Sequence, residues 1–377
     1  HGYLKTFTVS DDGATITEVA SLNHATSTVY QQDLLQIDSD TYILAYGGYD
    51  AQTGWGQHIK TFKVKPDGTS IVEIGDLVHD TYYQTNCQVS LIRIDVDTYA
   101  IAYYGYNQPT DNSWGGYIKT FTVNEGSITE VAKYKHYTST VYDNSFIHVA
   151  GNTFALAWAD NAYDGNITTF TISNDGATIT EVASLEHDTN DGLHTSFEQL
   201  DSDTYVLAYS GSAADGIIKT FTIAADGATI TQVASLEHDE FYGVWNSLVR
   251  SNDNTFLLAY MGDGDDGYLK SFTIPDDGAS ITQVTSIEHD PNHGSYNSMV
   301  QIDHDSYVLA MGGTHTLTGT ASTGAYIRTI DTPTLATATV PRISSVALAA
   351  DNSTVAVTFD EAVYNTNGGS GALQASD

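Results

Sequence analysis

The chain has 377 residues, with 47 acidic against 13 basic side chains and a formal net charge of −34. This charge argues against nucleic acid or an anionic membrane surface as the main partner, because both would be repelled. Apolar residues make up 41% of the chain and 25 residues are tyrosine, which excludes a disordered acidic segment and indicates a globular protein with an acidic surface.

The cysteine content and the hydropathy of the sequence exclude further classes of protein. The single cysteine, Cys87, excludes an internal disulfide bond and a multi-cysteine metal site. No run of about 20 apolar residues could span a bilayer, so we expect no direct membrane insertion. Because the sequence opens at His1 without an initiator methionine or a signal peptide, we interpret it as a mature or excised portion of a longer protein.

A repeated segment begins near the start of the chain. Residues 5–9 (KTFTV) recur at 60–64 (KTFKV), and a degenerate copy lies at 326–330. The other copies centre on Phe121, Phe170, Phe221 and Phe272. Successive phenylalanines are 49 to 59 residues apart, a period close to that of β-propeller blades.

Each repeat contains four short stretches that are rich in β-branched and aromatic residues, for example 246–250, 255–260, 268–274 and 280–286. An Asp-Gly or Glu-Gly pair separates the third stretch from the fourth and supplies the positive φ of a tight hairpin. Four strands joined by tight turns form a meander, and a ring of meanders is a β-propeller. The sequence therefore predicts an all-β protein made of four-stranded blades.

The number of blades follows from counting strands. The second strand occurs six times and the third strand seven times. We expect strands from 3–22 to join strands from 295–313 and close a ring of six blades. The alternative is seven blades, which would need residues upstream of His1.

The repeats end near Pro341, after a Thr- and Ala-rich linker. We assign residues 1–340 to the propeller and 341–377 to a linker with two alternating strands, at 343–348 and 355–359. The segment 357–363 (VTFDEAV) resembles a strand of bacterial immunoglobulin-like modules, and the repeats resemble those of bacterial cell-surface propeller proteins. The resemblance implies an extracellular or cell-surface location, an incomplete immunoglobulin-like domain and further domains of the same chain.

The loops that join strands 2 to 3 and strands 4 to 1 vary between copies, whereas the other loops are alike. In a meander these two groups emerge on opposite faces, so we expect function on the variable-loop face. The candidate ligand-binding residues are Tyr49, Trp55, Tyr106, Trp114, Tyr242, Trp245, Tyr296 and His194. Aromatic rings among polar groups suit a glycan or a protein surface; the alternative is that they only cap the ring against solvent.

Two sets of residues repeat along the innermost strand. Small polar residues, mostly serine, recur at one position, and more varied residues recur two positions earlier. The varied set is Gln31, Gln88, Asp143, His194, Trp245 and Tyr296. Alternation predicts that both sets lie on one side of the strand, where they line a polar channel or simply pack. His194 with Asp143 and Asp191 is the one cluster that suits an enzyme.

Histidines recur at the end of the fourth strand: His24, His79, His136, His187, His238 and His289. Equivalent positions in successive blades lie too far apart to share a metal ion, so we expect each to pin its loop by a local hydrogen bond rather than to form a metal site or pH switch. Asp263, Asp265 and Asp266, in a glycine-containing turn, are the candidate ligands for calcium, although a solvated turn is favoured.

We predict an extracellular binding or adhesion module that recognises a glycan or surface protein. No motif of a nucleophile, zinc protease or phosphate loop occurs in the sequence, so we do not expect an enzyme. The alternatives are a structural spacer or self-assembling surface protein and, less favoured, a propeller-type glycoside hydrolase or lyase.

Overall fold

The computed structural model describes residues 1–10, 13–50, 54–81, 88–107, 113–252, 254–303, 306–317, 320–331, 343–348 and 355–359. Contacts divide the chain into two compact units, His1–Asp331 and Thr332–Asp377. The predicted boundary near 341 lies outside the described residues. No helix in the described part of the chain combines the length and apolar character needed to cross a membrane.

The first unit is a β-propeller with six blades in a ring, as predicted. Blade 1 comprises β3 (Val29–Gln36), β4 (Thr41–Asp50), β5 (Gly54–Val64) and β6 (Ile71–Asp80), and blade 2 comprises β7 (Ser90–Arg93), β8 (Thr98–Asn107), β9 (Ser113–Asn124) and β10 (Ser127–Tyr137). Blade 3 comprises β11 (Tyr142–Ala150), β12 (Thr153–Ala159), β13 (Gly165–Ile172) and β14 (Ile179–Asp188), and blade 4 comprises β15 (Leu193–Gln199), β16 (Thr204–Ser210), β17 (Gly216–Ile223) and β18 (Ile230–Asp239). Blade 5 comprises β19 (Val244–Asn252), β20 (Thr255–Met261), β21 (Gly267–Thr273) and β22 (Thr282–Asp290).

Blade 6 has three strands, β23 (Ser295–Gln301), β24 (Ser306–Leu317) and β25 (Thr320–Asp331), and the hairpin of β1 (Gly2–Val9) and β2 (Ile16–Ala25) forms a separate two-stranded sheet. In the second unit β26 (Ile343–Leu348) pairs antiparallel with β27 (Val355–Phe359), which gives the predicted short β tail. The immunoglobulin-like assignment of this tail stays a prediction.

The hydrophobic core lies between blades because both faces of the second strand are buried in blades 1 to 5. In β8, Tyr99, Ile101 and Tyr103 pack against blade 1, whereas Ala100 and Ala102 pack toward blade 3. A strand that is buried on both faces needs apolar residues at successive positions rather than in alternation. This explains the continuous apolar runs of the second strands.

Each residue of the Lys-Thr-Phe motif connects neighbouring blades. In blade 4 the Lys219 ammonium donates to the carbonyl of His187 in blade 3 at 2.5 Å. The Thr220 hydroxyl donates to the carbonyl of Gly278 in the Asp-Gly turn of blade 5 at 2.7 Å, and Phe221 is fully buried. The Asp-Gly turns have the predicted geometry, with a φ of +64° at Gly278. The motif therefore recurs because it holds each blade to the next.

The ring closes differently from the prediction. β24 pairs with β25 from Ser306↔Asp331 to Leu317↔Thr320, and β1 pairs with β2. Within the part of the chain that the structure describes, the expected joining of the N-terminal strands to 295–313 therefore does not form. A hairpin between neighbouring segments has a smaller loop-closure cost than pairing of the two chain ends. The β1–β2 hairpin instead lies between blades 6 and 1: Thr329 donates to the Gly13 carbonyl and Thr6 to the Gly68 carbonyl, each at 2.7 Å.

Candidate active site

A β-bulge begins the innermost strand of most blades and gives one residue a positive φ. In β15 the register shifts between Leu193 and Ser196, and His194 has a φ of +55°. The same left-handed φ occurs at Gln31, Asp143, Trp245 and Tyr296. The bulge interrupts the regular alternation on which the expected shared side with the serine set depended, and that shared side stays a prediction.

The bulged residues of successive blades contact one another. The ring centroids of His194 and Trp245 are 4.3 Å apart, and those of Trp245 and Tyr296 are 4.0 Å apart. Asp143 Oδ2 accepts a hydrogen bond from the His194 backbone N–H at 2.8 Å. Residues of four blades can meet in this way only near the propeller axis. We call Asp143, His194, Trp245 and Tyr296 the axial cluster.

Hydrogen bonds from the next blade hold the backbone of the axial cluster. The Asn246 side-chain amide donates to the His194 carbonyl at 3.2 Å, and the Asn297 amide donates to the Trp245 carbonyl at 3.1 Å. The Thr195 hydroxyl donates to the Asp143 carbonyl. These contacts maintain a backbone conformation that is unfavourable for residues other than glycine, so the cluster is preorganised.

Burial and a neighbouring carboxylate change the protonation of the histidine in the axial cluster. Burial lowers the pKa of His194, whereas the negative charge of Asp143 opposes this shift. The imidazole is therefore neutral at pH 7 and can accept a proton. Asp143 is buried, whereas Tyr296 is exposed. The cluster thus combines a potential base, a buried carboxylate and accessible aromatic rings. Asp191, in the loop before β15, is half-buried, and burial raises its pKa.

The small polar residues of the inner strands form a hydrogen-bonded series between blades. Ser196 Oγ accepts from the Leu248 N–H at 2.9 Å, and Ser247 Oγ accepts from the Met299 N–H at 2.9 Å. In blade 1 a carboxylate takes this role: Asp33 Oδ2 accepts from the Leu91 N–H at 2.6 Å. Burial raises the pKa of Asp33 to about 6.

Replacing Asp33 by the serine of the other blades should stabilise the propeller at pH 8. A raised carboxyl pKa means that the folded state disfavours the charged form above pH 6. We expect Asp33→Ser to raise the free energy of unfolding by about 1–2 kcal/mol at pH 8, with the gain shrinking toward pH 4. Urea unfolding at both pH values measures this effect. The reciprocal change Ser145→Asp should be destabilising at pH 8, and a pH-independent effect of Asp33→Ser would contradict the argument.

The contacts of the other predicted aromatic residues are with partners outside the axial cluster. Tyr49 and Trp55 pair across the β4–β5 hairpin with ring centroids 5.4 Å apart, and Tyr106 and Trp114 pair across β8–β9 at 5.2 Å. These four residues lie on extended strands rather than in loops. Tyr242 lies in the loop before β19, where its N–H donates to Asp239 Oδ1 at 3.2 Å.

The recurrent histidines have a structural role that differs from the predicted one. The imidazole nitrogens of His79, His136, His187, His238 and His289 have no hydrogen-bond partner among the described residues. The rings instead pack edge-on against aromatic residues, as His187 does against Tyr209. The His187 ring also fills the space that a Cβ at Gly165 would occupy. Burial lowers the pKa of His187 to about 3.

The acidic turn at 263–266 is a short 3-10 helix over Asp263–Asp265, and its Asp265 carbonyl accepts from the Gly294 N–H at 2.9 Å. The turn at Ser212–Ala214 has the same form and makes the equivalent bond to Gly243 with no carboxylate among those three residues. The described residues include no group of three or more His, Cys, Asp or Glu side chains placed to hold a metal ion. Calcium binding by Asp263, Asp265 and Asp266 stays a prediction.

Sequence reasoning missed one half-buried carboxyl. Glu198 in β15 occupies the position of Leu35, Ile92 and Val249 in other blades. Burial raises its pKa to about 7, while Arg250 opposes the shift. The signal was available, because a single acidic residue interrupts an otherwise apolar set of equivalent positions.

No family model and no curated protein matches this chain. Solved structures share its fold. The periplasmic gluconolactonase of Pseudomonas aeruginosa is 12% identical, with a TM-score of 0.57 over 86% of this chain and 94% of that chain. For a putative 6-phosphogluconolactonase of Bacteroides uniformis the identity is 10%, with the same TM-score and coverage. An α-L-arabinofuranosidase of Fusarium graminearum is 12% identical, with a TM-score of 0.50 over 81% and 94%.

These likenesses show the β-propeller fold, with bacterial proteins among the neighbours. The prediction of a binding or adhesion module without enzymatic activity is contradicted by the fold neighbours named above, which are a gluconolactonase, a putative 6-phosphogluconolactonase and a glycoside hydrolase. That prediction rested on the absence of a short catalytic motif. In a propeller, a site can be assembled from single residues of different blades, which leaves no contiguous motif in the sequence.

Proposed function

We propose that this propeller is a hydrolase that opens the ester bond of a sugar lactone at the axial cluster. The observation that carries the proposal is that equivalent positions of four successive blades hold Asp143, His194, Trp245 and Tyr296 in contact. A purely structural ring would not require four different residue types at these positions. The names of the lactonase neighbours support the choice of substrate class.

The proposed chemistry uses His194 as a general base. The neutral imidazole takes a proton from water, the resulting hydroxide attacks the lactone carbonyl, and the ring C–O bond breaks. The leaving alkoxide receives the proton, so that water and lactone give a hydroxy acid. Asp143 stabilises the imidazolium that forms, and the rings of Trp245 and Tyr296 bind the sugar face.

The number of carboxyl groups in the axial cluster favours a lactonase over a glycosidase. Glycoside hydrolysis generally uses two carboxyl groups on opposite sides of the scissile bond. The axial cluster contains one carboxyl group, that of Asp143, beside an imidazole.

We further propose a location outside the cytoplasm. The strongly acidic charge, the periplasmic neighbour and the surface-protein resemblance of the tail support it.

The proposal predicts a large loss of turnover when the base is removed. With glucono-δ-lactone as the substrate and acid release as the readout, His194→Ala and Asp143→Asn should each lower kcat/KM at least about 100-fold. Trp245→Ala should mainly raise KM. His148→Ala is the matched control, because His148 lies on the inner strand β11 but bonds to Gly151 at the opposite end.

An arabinofuranoside is assayed in parallel. If the chain hydrolyses the arabinofuranoside but not the lactone, the proposed activity changes from lactonase to glycosidase. A wild-type chain that hydrolyses neither substrate, or lactone hydrolysis that is unchanged in His194→Ala, would contradict the proposal.

A further inference from the structure

The β1–β2 hairpin lies at a position in the ring where several apolar side chains are exposed. The equivalent side chains are buried in the other copies of the repeat. Phe7 is 37% exposed, whereas the five equivalent phenylalanines, Phe62, Phe121, Phe170, Phe221 and Phe272, are at most 1% exposed. Leu34 is 46% exposed, whereas its five equivalents, Leu91, Phe146, Phe197, Leu248 and Met299, are 3% to 9% exposed. The same repeat position is therefore uncovered only next to the hairpin.

The exposed residues on blade 6 complete this pattern. Val300 and Ile302 are 53% and 45% exposed. Their equivalents in blade 1, Leu35 and Ile37, pack against the inner strands of blade 2. Val300 and Ile302 thus face the position after blade 6, which the hairpin occupies.

Leu34 faces the same position from the other side. Its equivalent Leu248 packs against Val206 and Ala208 in the second strand of the preceding blade. The four residues Phe7, Leu34, Val300 and Ile302 consequently bound one space between β23 and β3, in front of β1. We call this space the inner-strand slot.

The backbone of β1 is also incompletely paired. In blade 5 the third strand pairs with the second from Thr255↔Thr273 to Met261↔Gly267 as well as with the fourth. Among the described residues, β1 pairs with β2 alone. An unpaired strand edge beside apolar walls is a template for strand addition. The slot thus has both the hydrogen-bonding edge and the apolar surface that a first and second strand require.

We propose that the inner-strand slot binds a β-hairpin of the repeat's own first-and-second-strand type, carried by the same polypeptide ahead of β1, with His1 as the last residue of the connecting loop. The second strand of this hairpin pairs antiparallel with β1 and places an aromatic residue opposite Phe7, as Tyr42 lies opposite Phe62. The first strand fills the gap between Leu34 and Val300. A loop of five residues suffices for the connection, as between Met261 and Gly267.

The occupied slot also adds a residue to the axis. The first strand of the hairpin would place its own bulged residue between Tyr296 of blade 6 and Gln31 of blade 1. This residue extends the ring of equivalent positions that contains the axial cluster.

The test fuses a copy of residues 244–265, which includes the first two strands of blade 5, ahead of His1, so that residues 262–265 and His1 form the five-residue loop before Gly2. Hydrogen exchange of the β1 amides and the Tm are measured on the fused and unfused chains. We expect the β1 amides to exchange at least tenfold more slowly in the fused chain, and the Tm to rise by about 5 °C. The matched control carries Phe256→Asp and Leu258→Asp in the added copy and should show neither effect.

Three results would overturn the proposal. The native and control hairpins could protect β1 equally, or the β1 amides of the unfused monomer could already be protected. If the β1 amides of the unfused chain exchange more slowly at higher protein concentration, the slot binds a second copy of the chain instead. Leu34→Asp in the fused chain should remove most of the gain in Tm, which checks the predicted wall of the slot without changing the hairpin.

Discussion

Lowering the pH from 7.5 to 4.5 should destabilise this propeller steeply. Burial holds the pKa of His136, His187 and His238 at about 3 and that of His289 at about 4, and it holds the pKa of His79 well below its usual range. In the unfolded chain a histidine binds a proton near pH 6.5. Unfolding therefore takes up protons, so the stability is fully present above pH 6.5 and is lost as the pH falls toward 3.

Two carboxyl groups partly offset this effect. Asp33 and Glu198 have pKa values of about 6 and about 7, so near pH 5 they hold protons in the folded state that they release on unfolding. The five histidines minus these two groups give a net uptake of about three protons near pH 5, or about 4 kcal/mol per pH unit. Urea midpoints between pH 7.5 and 4.5 measure this slope. His238→Gln should reduce it by about one proton, and a flat profile would contradict the interpretation.

Removing one buried lysine should cost far more than removing its exposed counterpart. Lys219 is 9% exposed and donates to the His187 carbonyl, and its ammonium lies 3.5 Å from Asp188 Oδ2. Lys219→Met leaves a half-buried carboxylate and a buried carbonyl without this partner, so we expect a loss of about 3–4 kcal/mol in the free energy of unfolding.

Lys5 provides the matched control because it has the same place in the repeat motif. Its ammonium lies 2.6 Å from Glu18, but the two side chains are 39% and 45% exposed. Lys5→Met should change the free energy of unfolding by less than about 1 kcal/mol. Urea unfolding of both variants makes the comparison, and equal losses would show that the Lys219 contacts contribute no more than a surface ion pair.

The repeat made most of the fold predictable, because the local rules agree in each copy. The Asp-Gly turns, the apolar second strands and the Lys-Thr-Phe motif all indicate the same meander, and the structure has it. The closure was not predictable in this way. It depends on whether β24 pairs with β25 or with β1, and the repeat pattern supports both pairings.

Part of the candidate site was also visible in the sequence. His194, Trp245 and Tyr296 are recognisable from their shared position in the repeat. The bulge that gives each of them a positive φ leaves no clear mark in the residue pattern. The contact of Asp143 with the His194 backbone joins different blades. Such contacts depend on the ring itself, and the spacing of residues within one repeat does not determine them.

The placement of the hydrophobic clusters has a consequence for how the ring comes apart. Each cluster joins the second strand of one blade to its neighbours, as Tyr99 and Ala100 do on the two faces of β8. An excised single blade would keep its hydrogen-bonded ladder but lose the apolar partners on both sides. The smallest fragment that can retain a cluster is consequently two adjacent blades, so limited proteolysis should release paired blades or nothing stable at all.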